Sequence, residues 1–72
     1  MKIYGYENNS DKLLDLNELT MQCSVEEVDN IIDFFKYTKE KKLKYNEKFG
    51  HEHFKDWLTE DIDFDIILIN QK

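Results

Sequence analysis

Residues 24–44 read SVEEVDNIIDFFKYTKEKKLK, and we predict that this stretch forms one helix lying on a sheet. Ser24 and Glu27 have the spacing of a capping box, in which each side chain bonds the backbone N–H of the other residue. This pattern places the start of the helix at Ser24. The helix is then predicted to run from Val25 to about Lys44.

The predicted helix carries most of its apolar residues on one side. At about 100° per residue, an arc of roughly 120° holds Val25, Val28, Ile31, Ile32 and Phe35. This arc is the face that we expect to pack on the sheet. Phe34 and Tyr37 fall outside it, so we expect them at the surface, either as ordinary exposed aromatics or as a contact patch for a partner.

Strands are predicted before and after the helix. Residues 2–7 form a first strand, residues 7–11 a turn rich in Asn and Asp, and residues 12–23 a return strand. The apolar residues of the return strand switch from even to odd positions, which predicts a β-bulge at Asn17-Glu18. After a connection over residues 45–50, a short strand is predicted at 51–54. The last strand covers 61–69 and is apolar on both faces at its end.

These elements define one α+β domain over residues 1–72. We predict a two-layer sandwich with a mainly antiparallel sheet, in β-β-α-β-β order, with one helix packed on one face. The predicted core consists of Ile3, Leu14, Leu16, Leu19, Met21, Val25, Val28, Ile31, Ile32, Phe35, Ile66 and Leu68. Because one helix cannot cover both apolar faces of such a sheet, we also predict a homodimer.

Composition limits the classes of function. The single cysteine, Cys23, excludes a disulfide framework, and its place just before the helix predicts a buried, inert thiol. No leader pattern precedes the first strand and no apolar run is long enough to cross a bilayer, so we expect a cytoplasmic protein without membrane contact. The sequence contains no nucleotide-binding or nucleophile motif, so neither catalysis nor a cofactor is predicted.

The net charge of −6 is unevenly distributed along the chain. Residues 36–48 hold six of the ten lysines and only two acids, so the rest of the chain is strongly acidic. The chain has no arginine, the usual bidentate reader of phosphate and guanine, so we do not expect it to bind nucleic acid. An acidic body instead favours a basic protein partner.

Two polar groups are candidate sites. His51 and His53 lie two residues apart, a spacing that puts both imidazoles on one face of a strand and can hold a transition metal; the alternative is that they cap turns or line an interface. The second group consists of Glu60, Asp61, Asp63 and Asp65. Its alternating acids resemble the start of a calcium-binding loop, but Ile66 and Lys72 stand where that loop requires Gly and Glu, so a calcium site is excluded. The group is therefore either a solvated edge or a docking surface for a basic partner.

The order of features resembles that of small bacterial immunity-type proteins linked to polymorphic toxin systems. The resemblance covers nearly the whole chain and is carried mainly by Gly50-His51-Glu52-His53 and the terminal strand. It implies an α+β fold and a non-enzymatic protein that binds and neutralises a cognate toxin inside the producing cell. It also points to His51 and His53 as special positions, and to the acids between Glu60 and Asp65 as the toxin-facing surface. The alternatives are a small structural or regulatory homodimer and a His-based metal-binding module.

Overall fold

The structure is a computed structural model that describes residues 1–43 and 50–71. Its elements are β1 (Ile3–Tyr6), β2 (Leu13–Leu16), α1 (Val25–Thr38), a π-helical segment (Lys39–Leu43), β3 (His51–His53), α2 (Phe54–Leu58) and β4 (Ile67–Ile69). The predicted α+β class is confirmed. A second helix, α2, was not predicted. The predicted helix end at Lys44 and the connection over residues 45–49 lie outside the described residues.

The strands form two separate antiparallel pairs in place of the predicted single sheet. In the first pair Ile3 lies opposite Leu16, and in the second His51 lies opposite Ile69. Within the described ranges no strand of one pair bonds to a strand of the other. The molecule therefore has two small sheets with α1 between them in the chain.

The first pair is a hairpin, as predicted. Asn9 adopts the left-handed conformation at φ 61°, and the Ser10 N–H donates to the Glu7 carbonyl at 3.3 Å. Strand β2 ends at Leu16 with an uninterrupted register. The predicted return strand to Cys23 and the bulge at Asn17-Glu18 are therefore wrong. Because the strand stops so early, the apolar residues that follow it are left exposed.

Helix α1 begins as the sequence predicts. The Ser24 hydroxyl accepts from the Glu27 N–H at 3.1 Å, and the Ser24 N–H donates to the Glu27 carboxylate at 2.8 Å. The hydrogen bond from the Ser24 backbone lowers the pKa of Glu27 below its ordinary value. The capping box therefore holds a charged carboxylate at the positive end of the helix dipole.

The helix buries a different face from the predicted one. Phe34 is 0% exposed, and its ring lies 5.3 Å from the ring of Phe54 and 5.6 Å from that of Trp57. The surface position predicted for Phe34, including its role in partner binding, is therefore wrong. The reason is the short helix α2, because the ring of Phe34 packs against its aromatic residues Phe54 and Trp57.

The core is small. Its buried apolar residues, among those described, are Ile31, Phe34 and Phe54, with Trp57, Leu58, Ile62, Ile66 and Leu68 packed against them. Of the remaining predicted core residues, Ile3, Leu14 and Leu16 are half-buried in the hairpin, whereas Leu19, Met21, Val25, Val28, Ile32 and Phe35 are exposed. Strand β4 also exposes Ile67 and Ile69, so the predicted burial of both its faces is wrong.

Candidate functional site

A histidine and an aspartate are joined where β3 meets α2. Nδ1 of His53 lies 2.5 Å from Oδ2 of Asp65, which approaches from the segment before β4. The side chains are 33% and 26% exposed, so the pair is partly accessible to water. A carboxylate at Nδ1 fixes the orientation of the ring.

The Asp65 carboxylate also caps the first turn of α2. His53 is the N-cap residue of α2 but makes no capping hydrogen bond with its side chain. Instead, Oδ1 of Asp65 accepts from the backbone N–H groups of Lys55 and Ile66, both at 2.9 Å. Asp65 is therefore a capping residue supplied from a distant part of the chain, in contrast to the solvated strand position that alternation predicted.

These contacts shift the pKa values of both His53 and Asp65. The hydrogen bond to Asp65 raises the pKa of His53 above its ordinary value, and the nearby charges of Asp65, Asp56 and Glu52 add to this effect. Partial burial acts to raise the pKa of Asp65, but the hydrogen bonds from His53 and the Lys55 backbone outweigh it and lower the pKa. The geometry therefore favours a charged pair, imidazolium with carboxylate.

The two histidines lie together, with ring centroids 5.0 Å apart in an edge-on arrangement. Two imidazoles need at least one further ligand to form an ordinary transition-metal site. In the described part of the chain, no group of three or more His, Cys, Asp and Glu side chains is arranged to hold a metal ion. Metal binding by His51 and His53 stays a prediction.

A large open cleft separates the β1–β2 hairpin from the β3–β4 pair. Its volume is about 1450 Å³, and one wall comes from the hairpin, including Ile3 and Leu16, and another from the β4 region, including Phe64 and Leu68. We call this space the cleft. Its surface is mainly apolar because neither strand pair is covered on this side by another element of the described chain.

Carboxylates surround the cleft. Among the described residues, its acidic lining consists of Glu7, Glu26, Glu27, Glu60, Asp63 and Asp65, whereas Lys2 is the one lysine there. His51 and His53 also line it. Of the four predicted partner-facing acids, Glu60, Asp63 and Asp65 therefore come together here, while Asp61 is exposed without lining the cleft.

Two further predictions concern α1 and its start. Tyr37 is half-buried, with its ring 6.2 Å from that of Trp57, so it belongs to the edge of the aromatic cluster. Cys23 is exposed, so the predicted buried thiol is wrong. Residues 17–23, between β2 and α1, form no strand, so no strand of the described chain covers the sulfur from that side.

The sequence gives little sign of the contact between His53 and Asp65. The two residues are twelve apart, and the alternation around Asp65 favours a strand. The one available signal is that a helix starting at Phe54 would be preceded by His53, which is not among the preferred N-cap residues. Such a helix requires an acceptor from elsewhere.

Comparison with known proteins gives no relative: the chain matches no family model, no curated protein and no solved structure. In the described residues, no helix combines the length and the apolar character needed to cross a membrane.

Proposed function

We propose that this chain is a non-catalytic protein-binding module that takes a basic, partly apolar polypeptide segment of its partner into the cleft. The observation that carries the proposal is an apolar cleft whose lining, in the described part of the chain, holds six carboxylates against one lysine and the His53 imidazolium. Such a lining favours a ligand that has both aliphatic surface and positive charge.

The size of the cleft favours a polypeptide over a small molecule. Pockets for small ligands enclose roughly 300–1,000 Å³, and the cleft, at about 1450 Å³, is larger and open to solvent. Two of its walls are short strand pairs with exposed edges. An extended segment can add to such an edge through main-chain hydrogen bonds while its side chains enter the apolar floor.

The charge of the cleft also sets the expected kinetics. Complementary fields raise the association rate and exclude acidic proteins, including other copies of this acidic surface. Binding should therefore weaken as salt is added, because surface charges are screened.

The resemblance to immunity-type proteins makes this proposal more specific. Under it, the partner is a basic toxin, the site of action is the cytoplasm of the producing bacterium, and binding neutralises the toxin. The two-layer sandwich belongs to the same proposal: a partner segment in the cleft would join the two strand pairs into one continuous layer beneath α1.

The test is co-expression with the product of the adjacent reading frame, which the proposal requires to be basic, followed by light scattering on the purified material. We expect a stable complex that dissociates with added salt. Replacing the acids Glu60 and Asp63 by lysine should weaken it by about tenfold or more, since both line the cleft. A matched control replaces Asp11 and Glu18, two exposed acids outside the cleft, and should leave binding unchanged.

Two results would count against the proposal. One is the absence of any complex with the wild-type chain. The other is equal weakening by both pairs of lysine substitutions, which would mean that net charge matters and the cleft does not. The two alternatives are a small structural or regulatory homodimer and a His-based metal-binding module. Metal analysis of the purified protein with His51→Ala and His53→Ala variants tests the second directly.

A further inference from the structure

The cleft runs between the edges of two strands. Because side chains alternate along a strand, a cavity on one face touches every second residue, whereas a cavity along an edge touches consecutive residues. The cleft is lined by all of β1, Ile3–Tyr6, and by all of β4, Ile67–Ile69. Strands β2 and β3 contribute only every second residue. The cleft therefore lies along the edge of β1 on one side and along the edge of β4 on the other.

The edge of β4 carries main-chain groups that do not bond to β3. Two hydrogen bonds flank the β3–β4 pair, from the Asn70 N–H to the Gly50 carbonyl at 3.3 Å and from the Phe54 N–H to the Ile66 carbonyl at 2.8 Å. Bonded and non-bonded pairs alternate in an antiparallel ladder, so the N–H and C=O groups of Ile67 and Ile69 point away from β3. In the described ranges, neither residue makes a main-chain hydrogen bond outside the pair.

The edges of β1 and β4 lack the usual protection against pairing with another chain. Natural edge strands are protected by lysine, proline, bulges or a covering element. Strand β1 reads Ile-Tyr-Gly-Tyr and β4 reads Ile-Leu-Ile. Within residues 1–43 and 50–71, neither edge pairs with a further strand. Two open edges on opposite sides of a cleft favour an occupant with main-chain donors and acceptors on both sides, which is an extended polypeptide.

The exposure of side chains alternates along both edge strands. In β1, Tyr4 and Tyr6 are exposed and the residues between them are half-buried. In β4, Ile67 and Ile69 are exposed, whereas Leu68 packs against the core. A strand placed between them would continue both faces. Half of its side chains would then face the apolar floor of the cleft, and the other half would face water.

The charge of the cleft favours a basic occupant over a second copy of this chain. Glu60 and Asp63 line the cleft close in sequence to β4. A second copy that paired through its own β4 edge would bring the same carboxylates with it, and like charges at an interface are unfavourable. A segment with lysine or arginine on its water-facing side has the opposite charge.

We propose that the partner segment binds as an additional strand between β1 and β4, with main-chain hydrogen bonds to Ile67 and Ile69. Its side chains alternate between aliphatic residues that face the floor of the cleft and basic residues that face water. The product is one sheet in the order β2, β1, partner segment, β4, β3. This binding mode rests on the proposed function, because it concerns the same cleft and the same basic partner.

The first experiment measures the binding of a synthetic strand. The probe is an acetylated and amidated peptide in which four lysines alternate with three valines, labelled for fluorescence anisotropy. A control peptide has the same composition but carries its valines together. We expect the alternating peptide to bind about tenfold or more tightly than the control, since only the alternating order puts every valine on one face of a strand.

The role of the peptide main chain is tested by N-methylation, which leaves the side chains unchanged. In an extended peptide, the N–H groups of the lysines point to one edge and those of the valines to the other. Methylation of either set should weaken binding by about tenfold or more, because each set bonds to a different strand. If only one set matters, the segment pairs with a single edge and does not bridge β1 and β4. If neither set matters, the segment does not bind as a strand.

Hydrogen exchange of the protein amides locates the contact. The Ile67 and Ile69 amides should be slowed by about tenfold or more when the alternating peptide is at saturation. The Leu68 amide is the internal control, because it already bonds within the β3–β4 pair and should change less. Ile69→Pro removes one N–H from the edge without removing a bond to β3, and it should weaken peptide binding. Ile69→Ala keeps that N–H and should weaken binding much less. Circular dichroism checks that both variants are folded.

Three results would overturn this binding mode. They are an alternating peptide that does not bind, a peptide whose binding survives both N-methylations, and Ile67 and Ile69 amides that are already protected in a chain shown by light scattering to be dimeric. The last result would assign the edge of β4 to a second copy. The proposed function is judged separately, by the complex formed on co-expression and by its loss on substitution of Glu60 and Asp63. A complex that depends on these two acids, together with unaffected binding of both N-methylated peptides, would keep the proposed function and reject the added strand.

Discussion

His53 and Asp65 are joined through Nδ1 and Oδ2 at 2.5 Å, and the other oxygen of that carboxylate holds the first turn of α2 through the Lys55 N–H. One side chain thus fixes the end of β3, the start of α2 and the segment entering β4. Both residues line the cleft. The geometry of the cleft wall therefore depends on the ionisation of this pair.

The pair predicts a pH dependence of stability with two limits. Because the folded pKa of His53 lies above the ordinary 6.5, its contribution is fully present below pH 6.5 and is lost as pH rises through the folded pKa. The folded pKa of Asp65 lies below the ordinary 3.8, so its contribution is present above pH 3.8 and is lost as pH falls through the folded value. Urea unfolding over pH 3–8 should therefore find the largest contribution from this pair between about pH 4 and 6.5.

The variant His53→Gln should remove the alkaline limit, which is the loss of this contribution as pH rises through the folded pKa of His53. The free energy of unfolding should change by only about 0.5 kcal/mol, because a pair this exposed is screened by water. The matched control is His51→Gln, which removes the neighbouring ring but leaves the bond between His53 and Asp65. An alkaline limit that survives His53→Gln would show that another group is responsible. NMR titration of the two imidazoles provides an independent measurement of the raised pKa.

Asp65 is also predicted to stabilise the domain as a capping residue. Asp65→Ala removes the acceptor for two backbone N–H groups and should lower the free energy of unfolding by about 1–2 kcal/mol. Asp63→Ala, two residues away at an exposed position without a hydrogen bond in the described structure, should change it by less than about 0.5 kcal/mol. Equal losses in the two variants would contradict the capping role.

The local features of the fold were readable from the sequence because their causes are local. The capping box at Ser24 and the hairpin turn around Asn9 each involve residues a few positions apart. The α+β class follows from the same local patterns.

The buried face of α1 was not predictable from periodicity alone. The helix has two apolar stripes, and the sequence favours the one with more aliphatic residues. The choice between them depends on α2, whose Phe54 and Trp57 lie about twenty residues further along the chain. Likewise, the link from Asp65 to His53 arises only when two distant segments meet, and no local pattern signals it.

The adjacent residues Phe34 and Phe35 test this assignment of the buried face. Phe34→Ala removes a ring that is 0% exposed in the aromatic cluster and should cost about 3–5 kcal/mol, enough to unfold a domain of this size. Phe35→Ala removes a ring that is 42% exposed and should cost much less when measured at high dilution, where a dimer contributes nothing. Denaturant unfolding of both variants at the same low concentration gives the comparison. The reverse order of losses would mean that the core lies on the face predicted from the sequence, which carries Val25, Val28, Ile32 and Phe35.

Thr38 provides a prediction of increased stability. Its side chain is fully buried at the end of α1, and its hydroxyl has no hydrogen-bond partner in the described ranges. A buried hydroxyl without a partner loses its bonds to water and gains nothing in return. Thr38→Val keeps the shape of the side chain and removes the polar atom, so it should raise the free energy of unfolding by about 1 kcal/mol. Thr38→Ala is the control: it also removes the hydroxyl but leaves a cavity, so it should be less stable than Thr38→Val. If Thr38→Val instead loses stability while keeping its helix content, the hydroxyl is bonded in solution and the end of α1 is held by that bond.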